Sequence, residues 1–184
     1  MDRRSWLVAM MLMLVAGIPL PAANAQEPHQ VTVREDGGIY TVAATFVVPQ
    51  PASAAVAVLT DYEHIPRFMP EVRTSQVLER AGGRAVVEQE AVARFMLFSK
   101  TVHLVLEIQE QGGAISFQDR CRRSFSRYDG SWETTERDGY TVVRYELSAK
   151  PAFDVPDFLL QRLLKRDASR MIERLQLEIA ARER

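Results

Sequence analysis

The side chains best suited to recognising a small molecule are four aromatic residues in the second half of the chain. They are Phe125, Tyr128, Trp132 and Tyr145, and they lie in segments rich in β-forming residues. Tyr and Trp add a hydrogen-bonding group to an otherwise apolar surface, which suits the wall of a ligand pocket. Core packing is the other explanation for each residue taken singly. In an enzyme, Gln89, Tyr128 and Tyr145 would be the polar groups available inside such a pocket.

Acid–base or nucleophilic catalysis has weaker support in the sequence. It requires an acid and a base, or a nucleophile and a base, within hydrogen-bond reach. Glu88 and Glu90 could form a carboxylate pair, but strand alternation places them with His103 on the outer, solvated face. Cys121, the only cysteine, is either a thiolate favoured by adjacent arginines or a small apolar residue in a strand. We therefore assign no catalytic residue.

Composition and motif spacing argue against several classes of protein. The 24 acidic and 23 basic residues leave a formal net charge of −1, so no net positive field would attract nucleic acid. The chain has no paired cysteines and no H-x-x-x-H spacing, and its histidines are His29, His64 and His103. The sequence therefore predicts no metal site, no cofactor and no nucleic-acid partner.

Residues 1–25 have the three parts of a secretory signal peptide. A basic start at Arg3-Arg4 precedes an apolar run from Trp6 to Gly17, and the segment ends in Ala23-Asn24-Ala25. The run is shorter than the roughly 20 apolar residues needed to cross a bilayer. We expect cleavage after Ala25 and a mature protein in the periplasm. The arginine pair leaves the general secretion route and the twin-arginine route both open.

The rest of the chain has the size of one domain. Residues 26–36 are polar, which predicts a flexible lead-in or a weak first strand, and the domain proper should span residues 37–182. A strand from Ile39 to Val48 is followed by an alanine-rich helical segment that begins at Pro51. After Pro70, β-type segments alternate with turn sequences: Ala81-Gly82-Gly83, Phe98-Ser99, Gln111-Gly112-Gly113 and Arg137-Asp138-Gly139.

A long amphipathic helix from about Val155 to Ala181 closes the sequence. At 3.6 residues per turn, one stripe is apolar: Leu160, Leu164, Ala168, Met171, Ile172, Leu175 and Ile179. The opposite side should carry Arg162, Lys165, Arg166, Ser169, Glu173 and Gln176. Arg166, Arg170 and Arg174 recur every four residues and predict a basic ridge, which is either solvated or a site for an anionic partner.

These elements predict an α+β fold. Short connections make consecutive strands antiparallel, which gives a sheet of about seven strands. The sheet must curve around the C-terminal helix to bury its apolar side. Curvature leaves space at its centre, and this space is either filled by side chains or occupied by a ligand.

Three segments resemble the START-related superfamily, also called SRPBCC. They are AAVAVLTDYEHIPRFMPEV, then YDGSWETTE in a late strand, then the terminal amphipathic helix. The resemblance extends from Ile39 to Ala181. The superfamily includes polyketide cyclase/dehydrase-like, coenzyme Q-binding and lipid-transfer proteins. It implies the helix-grip fold and binding of hydrophobic small molecules, without specifying one reaction.

Strand alternation and helix winding identify the side chains expected to face the ligand. Small Ala91 on the concave face would leave room for it. The predicted ligand-binding residues are Val87, Gln89, Ala91, Phe95, Leu104, Leu106, Phe125, Tyr128, Trp132, Tyr145, Phe158, Leu164 and Met171. Phe158 could also form an entrance with Phe68 and Met69, and could there touch a membrane transiently.

The leading hypothesis is a periplasmic binder or carrier of a hydrophobic molecule such as a lipid or isoprenoid. It follows from the pocket and from the missing catalytic motif. One alternative is an enzyme of the cyclase or dehydratase type, acting on an aromatic or polyketide-like substrate. The other is a partner-binding module that uses the arginine ridge, with its pocket collapsed. The sequence names neither the ligand nor a protein partner.

Overall fold

Antiparallel hairpins build the fold, and short glycine turns close most of them. The computed structural model describes residues 29–95 and 98–182. The strands are β1 (Gln30–Asp36), β2 (Ile39–Val48), β3 (Val72–Ala81), β4 (Arg84–Phe95), β5 (Phe98–Gln111), β6 (Ala114–Asp119), β7 (Phe125–Arg137) and β8 (Tyr140–Pro151). Gly82 and Gly83 both have positive φ, as the two-residue turn between β3 and β4 requires. The predicted signal peptide, residues 1–25, lies outside the described residues.

The eight strands form one sheet in the order β1-β2-β8-β7-β6-β5-β4-β3. The predicted α+β helix-grip fold is confirmed, with one strand more than expected. The extra strand is β1, which pairs antiparallel with β2 from Gln30↔Thr45 to Asp36↔Ile39. In the segment predicted as a flexible lead-in or a weak first strand, residues 30–36 therefore form a strand. Its polar composition reflects an edge position, where Val31 is the only residue of the strand that is buried.

One predicted turn is wrong. Phe98 and Ser99 belong to β5, and Phe95 of β4 pairs directly with Phe98. Strand β4 therefore ends at Phe95 and β5 begins at Phe98. The sequence over 95–98 is apolar and has no Gly, Asn, Asp or Pro, which are the residues that usually mark a turn.

The helices lie on the concave side of the sheet. Helix α1 (Ala52–Leu59) is followed by a 3₁₀ turn (Tyr62–His64), the single-turn helix α2 (Ile65–Phe68) and, after β8, the long helix α3 (Asp157–Arg182). Helix α3 packs on β1, β2 and α1. No helix within residues 29–95 and 98–182 has the length and apolar character of a membrane span.

The buried stripe of α3 differs from the predicted one at three positions, since Leu164 and Met171 are only half-buried and Gln176 is added. Gln176, predicted on the solvent side, is buried, and its Nε2 donates a hydrogen bond to the carbonyl of Val47 at 3.1 Å. Its spacing explains this, since it follows buried Ile172 by four residues and precedes buried Ile179 by three. The amide is tolerated in the core because it has a partner there.

Both ends of α3 are tied to the rest of the domain. At the start, the hydroxyl of Tyr40 donates a hydrogen bond to Asp157 Oδ1 at 2.6 Å. At the end, Arg182 forms an ion pair with Asp61 at 2.7 Å. Desolvation works to raise the pKa of Asp61, but hydrogen bonds from His64 and Arg182 outweigh it and hold that pKa below its ordinary value. The helix is therefore fixed at both ends.

Candidate functional site

A cavity of about 350 Å³ lies between the concave face of the sheet and the helices. This volume is within the range of small-molecule pockets. Side chains from every strand from β2 to β8, from α1 and α2, and from the middle of α3 line it. Most of these are aliphatic or aromatic, such as Leu104, Leu106 and Met171. The space that sheet curvature predicts is therefore present, and its wall is mainly apolar.

Most of the residues predicted to face a ligand line this cavity. They are Gln89, Ala91, Leu104, Leu106, Phe125, Tyr128, Trp132, Tyr145, Leu164 and Met171. Alternation along β5 placed Leu104 and Leu106 correctly because every second residue of that strand is buried, from Val102 to Ile108.

The remaining predicted residues are Val87, Phe158 and Phe95. Val87 faces inward but is fully buried in the packed core, so it offers no surface to a ligand. Phe158 is 76% exposed, because it lies on the side of α3 roughly opposite Leu164 and Met171 and so does not reach the cavity. Phe95 lies at the end of β4, and its side chain is outside the described part of the chain.

An aromatic cluster forms one wall of the cavity. The rings of Trp132 and Tyr145 lie 4.2 Å apart between centroids, and those of Phe125 and Tyr128 lie 4.9 Å apart. Phe117, which the sequence analysis did not single out, lies 6.0 Å from Tyr128 and 6.5 Å from Tyr145. These separations are typical of stacked and tilted ring pairs. The wall is therefore suited to flat or chain-like apolar groups.

Two tyrosine hydroxyls are the neutral polar groups of this wall. Burial, together with the nearby carboxylate of Asp119, raises the pKa of Tyr128 to about 12. Burial also raises the pKa of Tyr145, which is only 5% exposed, well above its ordinary value. Within the described residues neither hydroxyl has a hydrogen-bond partner. Both therefore stay protonated at neutral pH and can donate a hydrogen bond to a ligand oxygen.

Charged side chains line the rim of the cavity. We call Glu71, Asp167 and Arg174 the charged mouth, because all three line the cavity and are 29–40% exposed. Burial works to raise the pKa of Glu71, but its hydrogen bond from Arg174 outweighs that and lowers it. Burial raises the pKa of Asp167, and the adjacent Arg166 offsets this only in part.

The charged mouth was not predicted from the sequence, because charged residues usually lie in solvent. Helix spacing was the available signal. Asp167, Met171 and Arg174 follow one another at intervals of four and three residues, so they share a face, and Met171 was already predicted to face the ligand.

The predicted basic ridge is not a free surface. Arg174 forms an ion pair with Glu71, and Arg166 pairs with Asp167 at 2.8 Å while donating to the carbonyl of Arg94, also at 2.8 Å. Two of the three ridge arginines therefore tie α3 to neighbouring elements. Arg170 is exposed.

The Asp-Tyr segment before α2 has a structural role. The Tyr62 hydroxyl donates to Glu110 Oε1 at 2.8 Å, and Arg80 forms an ion pair with the same carboxylate at 3.1 Å. Burial, followed by the effect of Glu110, raises the pKa of Tyr62. These contacts hold the chain that supplies Ile65, Phe68 and Met69 to the cavity wall.

The acid–base candidates on the outer face do not reach the cavity. His103 lies 3.4 Å from Glu88, and Glu90 lies 3.7 Å from Arg73. None of them lines the cavity. Within residues 29–95 and 98–182, no cluster of three His, Cys, Asp or Glu side chains could hold a metal ion. The polar chemistry available inside the cavity is therefore that of the tyrosines, Gln89, the indole N–H of Trp132 and the charged mouth.

Comparison of the sequence with known families gives one match. The model of the family described as polyketide cyclase / dehydrase and lipid transport matches residues 48–176. The match begins at the end of β2 and includes most of α3, so it contains all of the residues that line the cavity except Val42. A search of curated proteins gave no match.

Solved structures with the same fold come from several bacteria. The Zhui aromatase/cyclase of a Streptomyces species superposes with a TM-score of 0.69 at 15% identity, covering 79% of this chain and 96% of that one. A STAR-related lipid transfer protein fragment of Xanthomonas axonopodis gives a TM-score of 0.68 at 18% identity, covering 86% of this chain and 97% of that one. A START superfamily protein of Mycobacterium smegmatis gives a TM-score of 0.67 at 14% identity, covering 77% of this chain and 97% of that one. At these identities the similarity is one of fold.

Proposed function

The chain belongs to the polyketide cyclase / dehydrase and lipid transport family, and we propose that it binds and carries one hydrophobic small molecule in its cavity. The observation that carries the proposal is the apolar cavity itself, walled by Leu104, Leu106 and the aromatic cluster. Removing apolar ligand surface from water contributes about 25 cal/mol per Å². The tyrosine hydroxyls and the charged mouth would orient the ligand.

The cavity volume limits the size of the ligand. At about 350 Å³ the cavity lies near the lower end of the range for small-molecule pockets, which is roughly 300–1,000 Å³. One hydrocarbon chain of moderate length or a small fused-ring molecule matches this volume. A lipid with two long chains exceeds it.

We also propose that the carrier acts in the periplasm. This proposal rests on the signal-peptide pattern of residues 1–25. A carrier in that compartment would move an apolar molecule through water between membranes or enzymes. The apolar cavity would shield the molecule during the transfer.

Native mass spectrometry of the protein purified from its own host tests the carrier function. We expect a stoichiometric adduct that organic solvent extracts and that is apolar and small enough for the cavity. An unrelated exported protein, purified in the same way, controls for lipid carried over from the envelope. Protein without any adduct that also rejects a panel of single-chain lipids and quinones would contradict the proposal.

A second candidate function is catalysis of the cyclase type. The observation in its favour is the pair of protonated hydroxyls of half-buried Tyr128 and buried Tyr145 on the cavity wall. A hydroxyl that donates to a ketone oxygen stabilises the negative charge that develops there in condensation or dehydration, provided that the site excludes water.

Replacing Tyr145 with phenylalanine separates this candidate from the carrier. If the chain is such an enzyme, turnover of an aromatic or polyketide-like ketone should fall about 100-fold or more, because the oxyanion loses a donor. Affinity for the substrate should change little. Tyr140→Phe is the control, since Tyr140 lies on β8 away from the cavity. Unchanged turnover in Tyr145→Phe would remove this assignment.

A further inference from the structure

The guanidinium of Arg174 lies at the edge of the apolar cavity and has N–H donors that its ion pair does not use. Its ion pair with Glu71 uses Nη1. Within the described residues, its other N–H groups have no hydrogen-bond acceptor. A guanidinium presents five N–H donors in a planar fork, a geometry that matches a carboxylate through two parallel bonds. Arg174 can therefore hold Glu71 and a ligand oxygen at the same time.

Arg170 adds a second cation one turn before Arg174. It is exposed, and it forms no ion pair or hydrogen bond within residues 29–95 and 98–182. Burial is the largest influence on the pKa of both carboxylates of the charged mouth, and the charge of Arg170, one helical turn away from Arg174, acts in the opposite direction on each. Arg170 therefore lies close enough to the mouth to act on a charged group placed there.

The charges around the mouth leave a positive excess. Glu71 is paired with Arg174 and Asp167 with Arg166, so the two acids are each matched by one arginine. Arg170 is the remaining charge of the group. An anion placed beside Arg170 would bring the group to neutrality, whereas a cation would increase the excess. The electrostatics of the rim therefore favour an anionic ligand group.

We propose, as an extension that rests on the carrier function, that the ligand is an apolar carboxylate with its tail in the cavity and its carboxylate at the mouth. Arg170 and the free donors of Arg174 hold the carboxylate there. The space available for the tail is that of the cavity, about 350 Å³. A saturated single-chain fatty acid of medium length is the simplest molecule with these properties.

Titration with dodecanoic acid and with its methyl ester tests this inference in the whole protein. The two molecules share a chain, and only the acid carries a charge at pH 7. We expect the acid to bind about tenfold more tightly than the ester, because charge-assisted hydrogen bonds to the arginines are formed only with the acid. This preference should shrink in concentrated salt, since Arg170 is exposed.

The variant Arg170→Gln should reduce the preference for the acid to within about threefold while leaving the affinity for the ester unchanged. The substitution is expected to be compatible with folding, since Arg170 is exposed. Arg162→Gln is the matched control. It removes the same charge from an exposed position of α3 that does not line the cavity, and the preference should persist.

The outcomes separate this inference from the carrier function. Equal affinity for acid and ester in the wild-type protein, or an acid preference that is undiminished in Arg170→Gln, would overturn the anionic-head assignment. Tight binding of the ester alone would overturn it too and would leave the carrier function standing. If both ligands fail to bind, and a panel of other apolar molecules fails as well, the carrier function and this inference fall together.

Discussion

Replacing Ala91 with phenylalanine should abolish ligand binding while leaving the protein folded. Ala91 lies on β4, lines the cavity and pairs across the sheet with Val72 and Val102, which also line it. A phenyl ring at this position would occupy space that the ligand needs. Affinity for dodecanoic acid or for an apolar fluorescent dye should fall about a hundredfold or more, which is roughly 3 kcal/mol of binding free energy. A fluorescence titration measures this.

The matched control is Ala43→Phe. Ala43 lies on the outer face of β2, partly buried, and does not line the cavity. Both substitutions add the same ring to a strand alanine, so a general effect on the sheet would appear in both. We expect Ala43→Phe to bind the ligand with wild-type affinity, and we expect both variants to unfold in a cooperative thermal transition. Undiminished binding by folded Ala91→Phe would show that the ligand binds elsewhere.

Replacing Gly130 with valine should destabilise the protein severely. Gly130 lies on β7 opposite Phe117 of β6, between the cavity-lining residues Tyr128 and Trp132. A Cβ atom at this position would overlap the backbone oxygen of Glu146 and lie 2.7 Å from Cζ of Phe117. Backbone atoms of a paired strand cannot move aside cheaply, so β7 and β8 would have to separate locally.

The expected cost is about 3 kcal/mol or more in the free energy of unfolding, which corresponds to a drop of roughly 10 °C in Tm for a domain of this size. Thermal denaturation followed by circular dichroism measures it. Ser131→Val is the control, because it adds the same kind of β-branched side chain to the next position, on the outer face. A Gly130→Val variant that melts within 2 °C of wild type would contradict the predicted overlap.

The glycine turns, and the alternation of buried and exposed side chains along the strands, explain why so much of the sheet was predictable. Pairs such as Gly82-Gly83 mark the hairpins, because only glycine adopts two successive positive φ angles without strain. Between the turns, a strand with one buried face must alternate buried and exposed side chains. Strand β5 shows this alternation. The strand β1 was weakly predicted for the opposite reason. At the edge of the sheet only Val31 needs to be buried, so the segment has no apolar pattern to detect.

The polar part of the site was less accessible from sequence. A charged side chain is energetically neutral at the surface and costly in a core, so its default placement is in solvent. Glu71 and Arg174 escape this rule because they pair with each other, and the two residues are too far apart in sequence for spacing to reveal the pair. Gln176 shows the same limitation, since its partner is the carbonyl of Val47. Contacts between residues so far apart in the sequence can be identified only in the assembled fold.

The pairing of β2 with β8 has a consequence for the order in which the protein can fold. Tyr40 lies opposite Ala149, so the first large hairpin docks on the last strand, across nearly the whole described chain. Contacts of this sequence separation form late, because the entropy of closing the long intervening loop must be lost first. The cavity acquires all of its walls only when this closure and the docking of α3 are complete. Ligand binding therefore reports on the final stage of folding, and a ligand stabilises the native state without assisting the earlier hairpins.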